Sequence, residues 1–202
     1  MATIALIIIA YLLGSVPFAV LISRWFKMPD PRTYGSRNPG ATNVLRTGRK
    51  TVAALTLLGD MAKGWLAVYL AHHFAPQYGL GSATIAAVAL AVILGHSYSL
   101  FLGFHGGKGV ATTGGVLLAL NMWMGFSVLA TWLVIAFITR ISSLAALVAA
   151  VVAPLFAFYI FGWDLRSLAV LVICLFLIWR HQWNIRRLIA GTEDTFDKRE
   201  SQ

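Results

Sequence analysis

The segment His105-Gly106-Gly107-Lys108-Gly109 sets a lysine among glycines immediately before an apolar run, a combination suited to holding an anion. Glycines 106, 107 and 109 let the backbone come close to a ligand, Lys108 adds a point charge, and the next helix starts at once. Glycines at such a junction can equally serve helix packing, and it is the lysine at their centre that points to a ligand. The spacing is not that of a Walker loop, so nucleotide hydrolysis is not implied. A second polar stretch, from Asp30 to Arg46, carries Ser36, the turn Asn38-Pro39-Gly40, then Thr42, Asn43 and Arg46. The turn is expected to lead into a helix capped by Thr42 or Asn43, its free amides facing a phosphate, with Arg46 one turn on as a forked cation and Ser36 as a hydroxyl that donates or accepts. A charged loop resting on lipid headgroups would explain the arginines but not the turn and cap. The third stretch, Arg180 to Glu193, places His181 and Asn184 three apart, on one face if the helix continues, with Arg180 and Arg187 beside them. A base or donor beside an amide suits acyl chemistry. Arg186 and Arg187 read as a snorkelling basic collar, and Glu193 as an anchor for the tail through one of the arginines. His96 reads as a hydrogen-bonded residue at a helix end.

What must position these residues is a membrane bundle. Of 202 residues, 59% are hydrophobic and only 11% charged, outside the range of a soluble domain. Apolar runs recur throughout, so a single membrane-embedded domain over residues 1–202 is expected. The runs lie at Thr3 to Ile22, Val52 to Phe74, Ala83 to Leu102, Met122 to Ile138, Leu144 to Phe161 and Leu168 to Trp179, with a shorter one at Val110 to Leu120. The first has no Lys or Arg ahead of it and reads as a retained span rather than a cleaved signal. The basic stretches Arg24 to Lys50, Lys108, Arg140 and Arg180 to Arg199 belong on the cytoplasmic side. Placing all of them there makes the short run a crossing. The expected fold is therefore an all-α integral membrane protein of seven transmembrane helices, one of them short, with the amino terminus outside and the carboxyl terminus cytoplasmic. Asp164 is expected to offset Arg166 in an outer loop.

Within the spans, Pro17 predicts a kink, and Gly14 and Ser15 a close helix approach. Asp60 and Lys63, spaced i to i+3, are expected to neutralise one another on one face, as an intramembrane ion pair of functional or locking kind. Cys174 reads as packing, and His72 and His73, adjacent and without carboxylates, as interfacial rather than metal ligands. The net charge of +9 is spread between spans, which points to anionic lipid and phosphorylated substrates and not to nucleic acid.

In order, Gly-Ser-Val-Pro-Phe at 14–18, the Ser36 to Arg46 loop, Gly59-Asp60 with Lys63, the glycine–lysine loop and the His181 to Glu193 tail resemble the acyl-phosphate-dependent glycerol-3-phosphate acyltransferases over nearly the whole chain. The resemblance implies a bacterial inner-membrane enzyme of seven spans, its site facing the cytoplasm. Such an enzyme moves an acyl group from acyl phosphate to the 1-hydroxyl of glycerol 3-phosphate, giving lysophosphatidic acid and inorganic phosphate in phospholipid biosynthesis. No motif supplies a metal site, and no cofactor is expected. Matched by position, Ser36, His181 and Asn184 take catalytic places, and Arg46, Gly106, Gly107 and Lys108 bind substrate; Thr42 and Asn43 join the expected substrate-binding residues as the candidate caps. Glu193 matches a glutamate of structural importance. His105 departs from the family pattern, which often has a second lysine there. Two other classes fit parts of the pattern: an organophosphate transporter explains the cations but not His181 beside Asn184, and a lipid-binding scaffold explains headgroup affinity without turnover.

Overall fold

Pro17 has no amide hydrogen to give the turn before it, and the first apolar run breaks there. The computed structural model describes residues 1–196, and within it this run forms α1 (Ala2–Ser15) and α2 (Phe18–Trp25), bent by 42°. The kink expected at Pro17 is therefore present. Its consequence is local: the Val16 carbonyl at the break accepts a hydrogen bond of 2.8 Å from Lys63 Nζ.

The chain continues through the short α3 (Ala41–Leu45), α4 (Lys50–Phe74), α5 (Ser82–Ser97), α6 (Val110–Leu120), α7 (Met122–Thr139), α8 (Ser142–Phe161), α9 (Leu165–Arg180) and α10 (Gln182–Ile189). No strand occurs among the described residues. Boundaries fall within a few residues of the apolar runs, and α6 coincides with the short one. By length and apolarity, four described helices suffice to cross a membrane, or six if each bent pair, α1 with α2 and α9 with α10, is one span. At 1.5 Å per residue, α6 reaches only about 16 Å.

Helix approach rests on small residues, as it must where lipid is as apolar as the helix surface. A Cβ at Gly115 of α6 would strike the Met61 carbonyl of α4, and one at Gly95 of α5 would strike the Tyr11 carbonyl of α1. α4 and α5 form the centre, α4 packed against α1, α2, α3, α5 and α6 and α5 against α1, α4, α6 and α9, while α7 lies at the periphery against α6 and α8. Val68, Val92, Ile93, Leu117, Met124 and Ile173 fill the space between. Large apolar side chains on the outside, Leu58, Phe137 and Leu155 among them, face outward as lipid-facing residues do.

The polar connections gather at one end. Arg180 Nη2 of α9 donates to the carbonyls of Gly106 (3.2 Å) and Gly107 (3.1 Å), and Thr42 Oγ1 lies 3.1 Å from Ser142 Oγ. The Phe196 amide donates to the Arg140 carbonyl at 2.9 Å. At the other end, Asp164 caps α9, accepts from the Arg166 amide and guanidinium at 2.8 Å each, and so offsets that charge as expected. Lys198 and Arg199, counted above among the tail cations, lie outside the described residues.

Candidate active site

Each polar segment is built by a different local rule. After the Asn38-Pro39-Gly40 turn the N-cap of α3 is Gly40, without a side-chain cap. The expected capping by Thr42 or Asn43 does not occur, because both lie inside the helix. Asn43 instead ties the preceding loop: its Oδ1 accepts from the Ser36 amide at 2.9 Å, and its Nδ2 donates to the carbonyls of Pro31 (2.8 Å) and Tyr34 (3.2 Å). A buried amide with three backbone partners fixes where Ser36 stands.

The glycine–lysine loop lies on the end of α5. Gly106 and Gly107 donate their amides to the carbonyls of Ser97 (3.0 Å) and His96 (3.2 Å). The His96 ring lies beneath Gly107, where any Cβ would meet the imidazole. His96 is buried at the helix end, as expected, with Nδ1 3.1 Å from Thr112 Oγ1 and 3.6 Å from Asp60 Oδ1. Asp60 pairs with Lys63 at 2.8 Å, both side chains 4% exposed or less, so the two charges do neutralise one another. Arg180 clamps the loop from the other side through its two carbonyl bonds, a role its flanking position alone did not disclose.

The helix does not continue through the third motif. It breaks at His181, and α9 and α10 meet at 58°. His181 and Asn184 are nevertheless both buried. The His181 Nδ1 lies 2.8 Å from the Leu177 carbonyl, an acceptor only, so Nδ1 carries the hydrogen and Nε2 presents a lone pair. Burial, reinforced by the Lys108 charge, pushes its pKa down to about 4. Asn184 Oδ1 accepts from Lys108 Nζ, and its Nδ2 donates to Glu193 Oε1 at 2.6 Å. Glu193 also accepts from Ser143 Oγ and Arg187 Nε, each at 2.7 Å. Burial alone would raise the Glu193 carboxyl, but these donors outweigh it and hold its pKa below the ordinary value. The anchoring arginine is thus Arg187, which is more than a snorkelling collar; Arg186 remains outside, over the Trp183 ring at 4.7 Å. Lys108 is pushed down to about 8, chiefly by burial, with Arg187, Arg46 and Arg180 adding to the effect against Glu193.

Two cavities meet at these residues. One, of about 440 Å³, has Arg46, His181 and Glu193 at its polar part and runs on between apolar residues such as Leu57, Leu117 and Ala150. The other, of about 990 Å³, is lined by Arg32, Arg37, Arg180 and Arg186 with Gly106 and Tyr98. Ser36, Asn38, Lys108, Asn184 and Arg187 line both. An elongated apolar molecule with an anionic head fits the first, and a small polar anion the second.

The sequence model of the glycerol-3-phosphate acyltransferase family matches residues 4–191. The chain belongs to that family. The acyltransferase is 57% identical to the glycerol-3-phosphate acyltransferase of Nitrosospira multiformis, over 98% of either chain, and 52% identical to that of Paraburkholderia phymatum, over 100% of this chain and 97% of the relative. Its fold is that of PlsY (YgiH), an integral membrane glycerol 3-phosphate acyltransferase, crystallised in a glycerol 3-phosphate form (TM-score 0.89, 37% identity, 96% of each chain). A second PlsY structure is of a lysophosphatidic acid form (TM-score 0.86, 36% identity, 96% of this chain and 95% of PlsY). The acyltransferase is accordingly an integral membrane protein of phospholipid synthesis.

Sequence reading brought together Ser36, Arg46, Lys108, His181 and Asn184, which all border the first cavity. It did not single out Ser143, a donor to Glu193, or residues 194–196, which line the same wall. Neither lies in a glycine- or arginine-rich stretch, so no local signal marked them.

Proposed function

We propose that the protein transfers an acyl group from acyl phosphate to the 1-hydroxyl of glycerol 3-phosphate, giving lysophosphatidic acid and inorganic phosphate. The observation that carries this is the meeting of an apolar, arginine-ended cavity with a cationic polar one across Ser36, Lys108 and Asn184. The relatives named as glycerol-3-phosphate acyltransferases, and the PlsY structures with glycerol 3-phosphate and lysophosphatidic acid, support the acceptor and product. The donor is chosen on chemistry: an acyl phosphate carries its own good leaving group, so no strong enzyme nucleophile is needed.

In this reading the acyl tail lies in the apolar cavity and its phosphate meets Arg46. Glycerol 3-phosphate occupies the cationic cavity, with Lys108 at its phosphate, while Gly106 and Gly107, whose amides are given to Ser97 and His96, hold the loop that places the lysine. Ser36 and the second Nδ2 hydrogen of Asn184 orient the donor, and Thr42 borders the donor end. Asn43 acts by holding Ser36, and Asp60, Lys63 and Glu193 hold the frame. The 1-hydroxyl attacks the acyl carbonyl carbon, the new ester bond forms, and the carbonyl carbon–oxygen bond to phosphate breaks. His181 Nε2, neutral at pH 7, accepts a hydrogen bond from the attacking hydroxyl. With a pKa of about 4 it is a weaker base than a phosphate whose second pKa is about 6, so the proton passes to phosphate.

The topology that fits is a single domain of seven crossings, with the amino terminus outside and the carboxyl terminus cytoplasmic. Seven apolar segments are available if α6 counts as a crossing, and the basic connections share one end, which the charge rule assigns to the cytoplasm of a bacterial inner membrane. Purified protein in sealed vesicles tests the function. Acyl phosphate with labelled glycerol 3-phosphate is expected to yield labelled lysophosphatidate and one inorganic phosphate per turnover. Uptake of intact glycerol 3-phosphate without a donor, and no labelled lipid, would make it a transporter.

A further inference from the structure

Residues 191–196 take no part in the chemistry above, yet they are tied across the site. After α10 the chain reverses at Gly191 (φ 68°), and residues 193–196 line the apolar cavity beside Arg46. Glu193 is held by Ser143, Asn184 and Arg187. Phe196 is held by its amide bond to the Arg140 carbonyl (2.9 Å) and by its ring against Trp132, 6.4 Å between centroids. Between these two anchors Asp194 Oδ2 stands 3.4 Å from Arg46 Nη2, with side-chain exposures of 26% and 13%.

That pair is loose. Charge-assisted bonds of this kind close to about 2.7–2.9 Å, as Glu193 does with Arg187 at 2.7 Å. A phosphate would bring Arg46 more negative charge and a bidentate fit to the guanidinium. Resting on the acyl-transfer reading, we infer that Asp194 sets the affinity for the acyl donor: its carboxylate occupies Arg46 in the place of a donor phosphate oxygen and gives way when the donor enters. Asp194 acts through Arg46 and is a positioning residue. It keeps the guanidinium aimed into the apolar cavity, and every donor molecule binds against that competition.

The test is steady-state kinetics of the full chain in lipid, each substrate varied in turn. Asp194→Asn is expected to lower KM for acyl phosphate about two- to fivefold, the range of a partly exposed ion pair, without raising kcat and without changing KM for glycerol 3-phosphate. Asp194→Ala, which also removes the carboxylate, shifts KM the same way, and carries the test if Asp194→Asn does not fold. Asp30→Asn removes a carboxylate paired at 2.7 Å with Arg32, which lines the other cavity, and leaves KM for acyl phosphate unchanged, which separates local competition from general charge. A donor KM that is unchanged or raised, a fall confined to glycerol 3-phosphate, or an equal fall in Asp30→Asn overturns the inference. Wild-type protein without donor-dependent turnover would instead overturn the acyl-transfer reading on which it rests.

Discussion

Removing the Glu193 carboxylate is expected to cost stability and to unmoor the chemistry together. The side chain is 4% exposed and accepts from Asn184 Nδ2 (2.6 Å), Ser143 Oγ (2.7 Å) and Arg187 Nε (2.7 Å). In Glu193→Ala, Asn184 and Ser143 become buried donors without that acceptor, each costing about 1–2 kcal/mol. Arg187, 41% exposed, regains water and adds no more than about 1 kcal/mol. The sum is roughly 2–5 kcal/mol, read from denaturation midpoints in mixed micelles at pH 7. Glu193→Gln keeps an oxygen for Asn184 and Ser143 and loses the Arg187 ion pair, so it costs about 1 kcal/mol. Because the native carboxyl titrates below its ordinary value, near 4.3, its contribution is complete above that pH and disappears as pH falls through the depressed native pKa. Wild type and Glu193→Ala should therefore converge in stability under acid conditions. An alanine variant within about 0.5 kcal/mol of wild type, or a glutamine variant equally damaging, would refute the reasoning, since half a kilocalorie is the scale of an ordinary surface change.

Lys108→Ala removes a buried cation from a phosphate, worth about 2–4 kcal/mol, and should lower kcat/KM about 30- to 1,000-fold with little loss of folded protein. Because Lys108 titrates at about 8 and acts protonated, wild-type kcat/KM should fall as pH rises through that value; a profile flat to pH 10 would remove Lys108 from phosphate binding. Gly107→Ala pushes a methyl into His96 and displaces the loop, with an expected loss near 10²-fold, whereas Gly81→Ala has no atom within 4 Å of the added Cβ and should be silent. Lys63→Met takes the lysine from the buried Asp60 and leaves it facing the His96 ring at 3.6 Å, at up to about 3–5 kcal/mol in unfolding free energy, and Lys63→Met with Asp60→Leu should recover part of it.

What could be read from the chain was whatever depends on neighbours in sequence. Apolar runs gave the helices to within a few residues, Pro17 gave the first break, and the i to i+3 spacing gave the Asp60–Lys63 pair. The charge rule grouped Arg46, Lys108, Arg140 and Arg180 at one end, and these segments do meet there. What escaped depends on distant partners. The bend at His181 follows no proline or glycine. Arg180 read as a residue flanking His181 and Asn184, whereas its acceptors lie in the glycine loop, 73 residues away. Asn43 has the residue type of a cap, but its amide is taken by three backbone groups of the preceding loop, and Gly40 stands at the start of the helix in its place. The wall formed by residues 193–196 was invisible for the same reason: only Glu193 sits in a stretch with a signal, and the neighbours of Asp194 and Phe196 come from α3, α7 and the Arg140 turn.

In the proposed reaction, two phosphorylated molecules bound side by side are expected to react by direct transfer, with no acyl group resting on the protein. Labelled inorganic phosphate incubated with the protein and acyl phosphate, in the absence of glycerol 3-phosphate, measures this most directly. Exchange of label into acyl phosphate should be absent, because the donor's bond to phosphate breaks only when the acceptor attacks. Exchange at a rate comparable to turnover would mean an acyl-enzyme, with Ser36 as its natural site, and would contradict the shared pocket as the basis of catalysis.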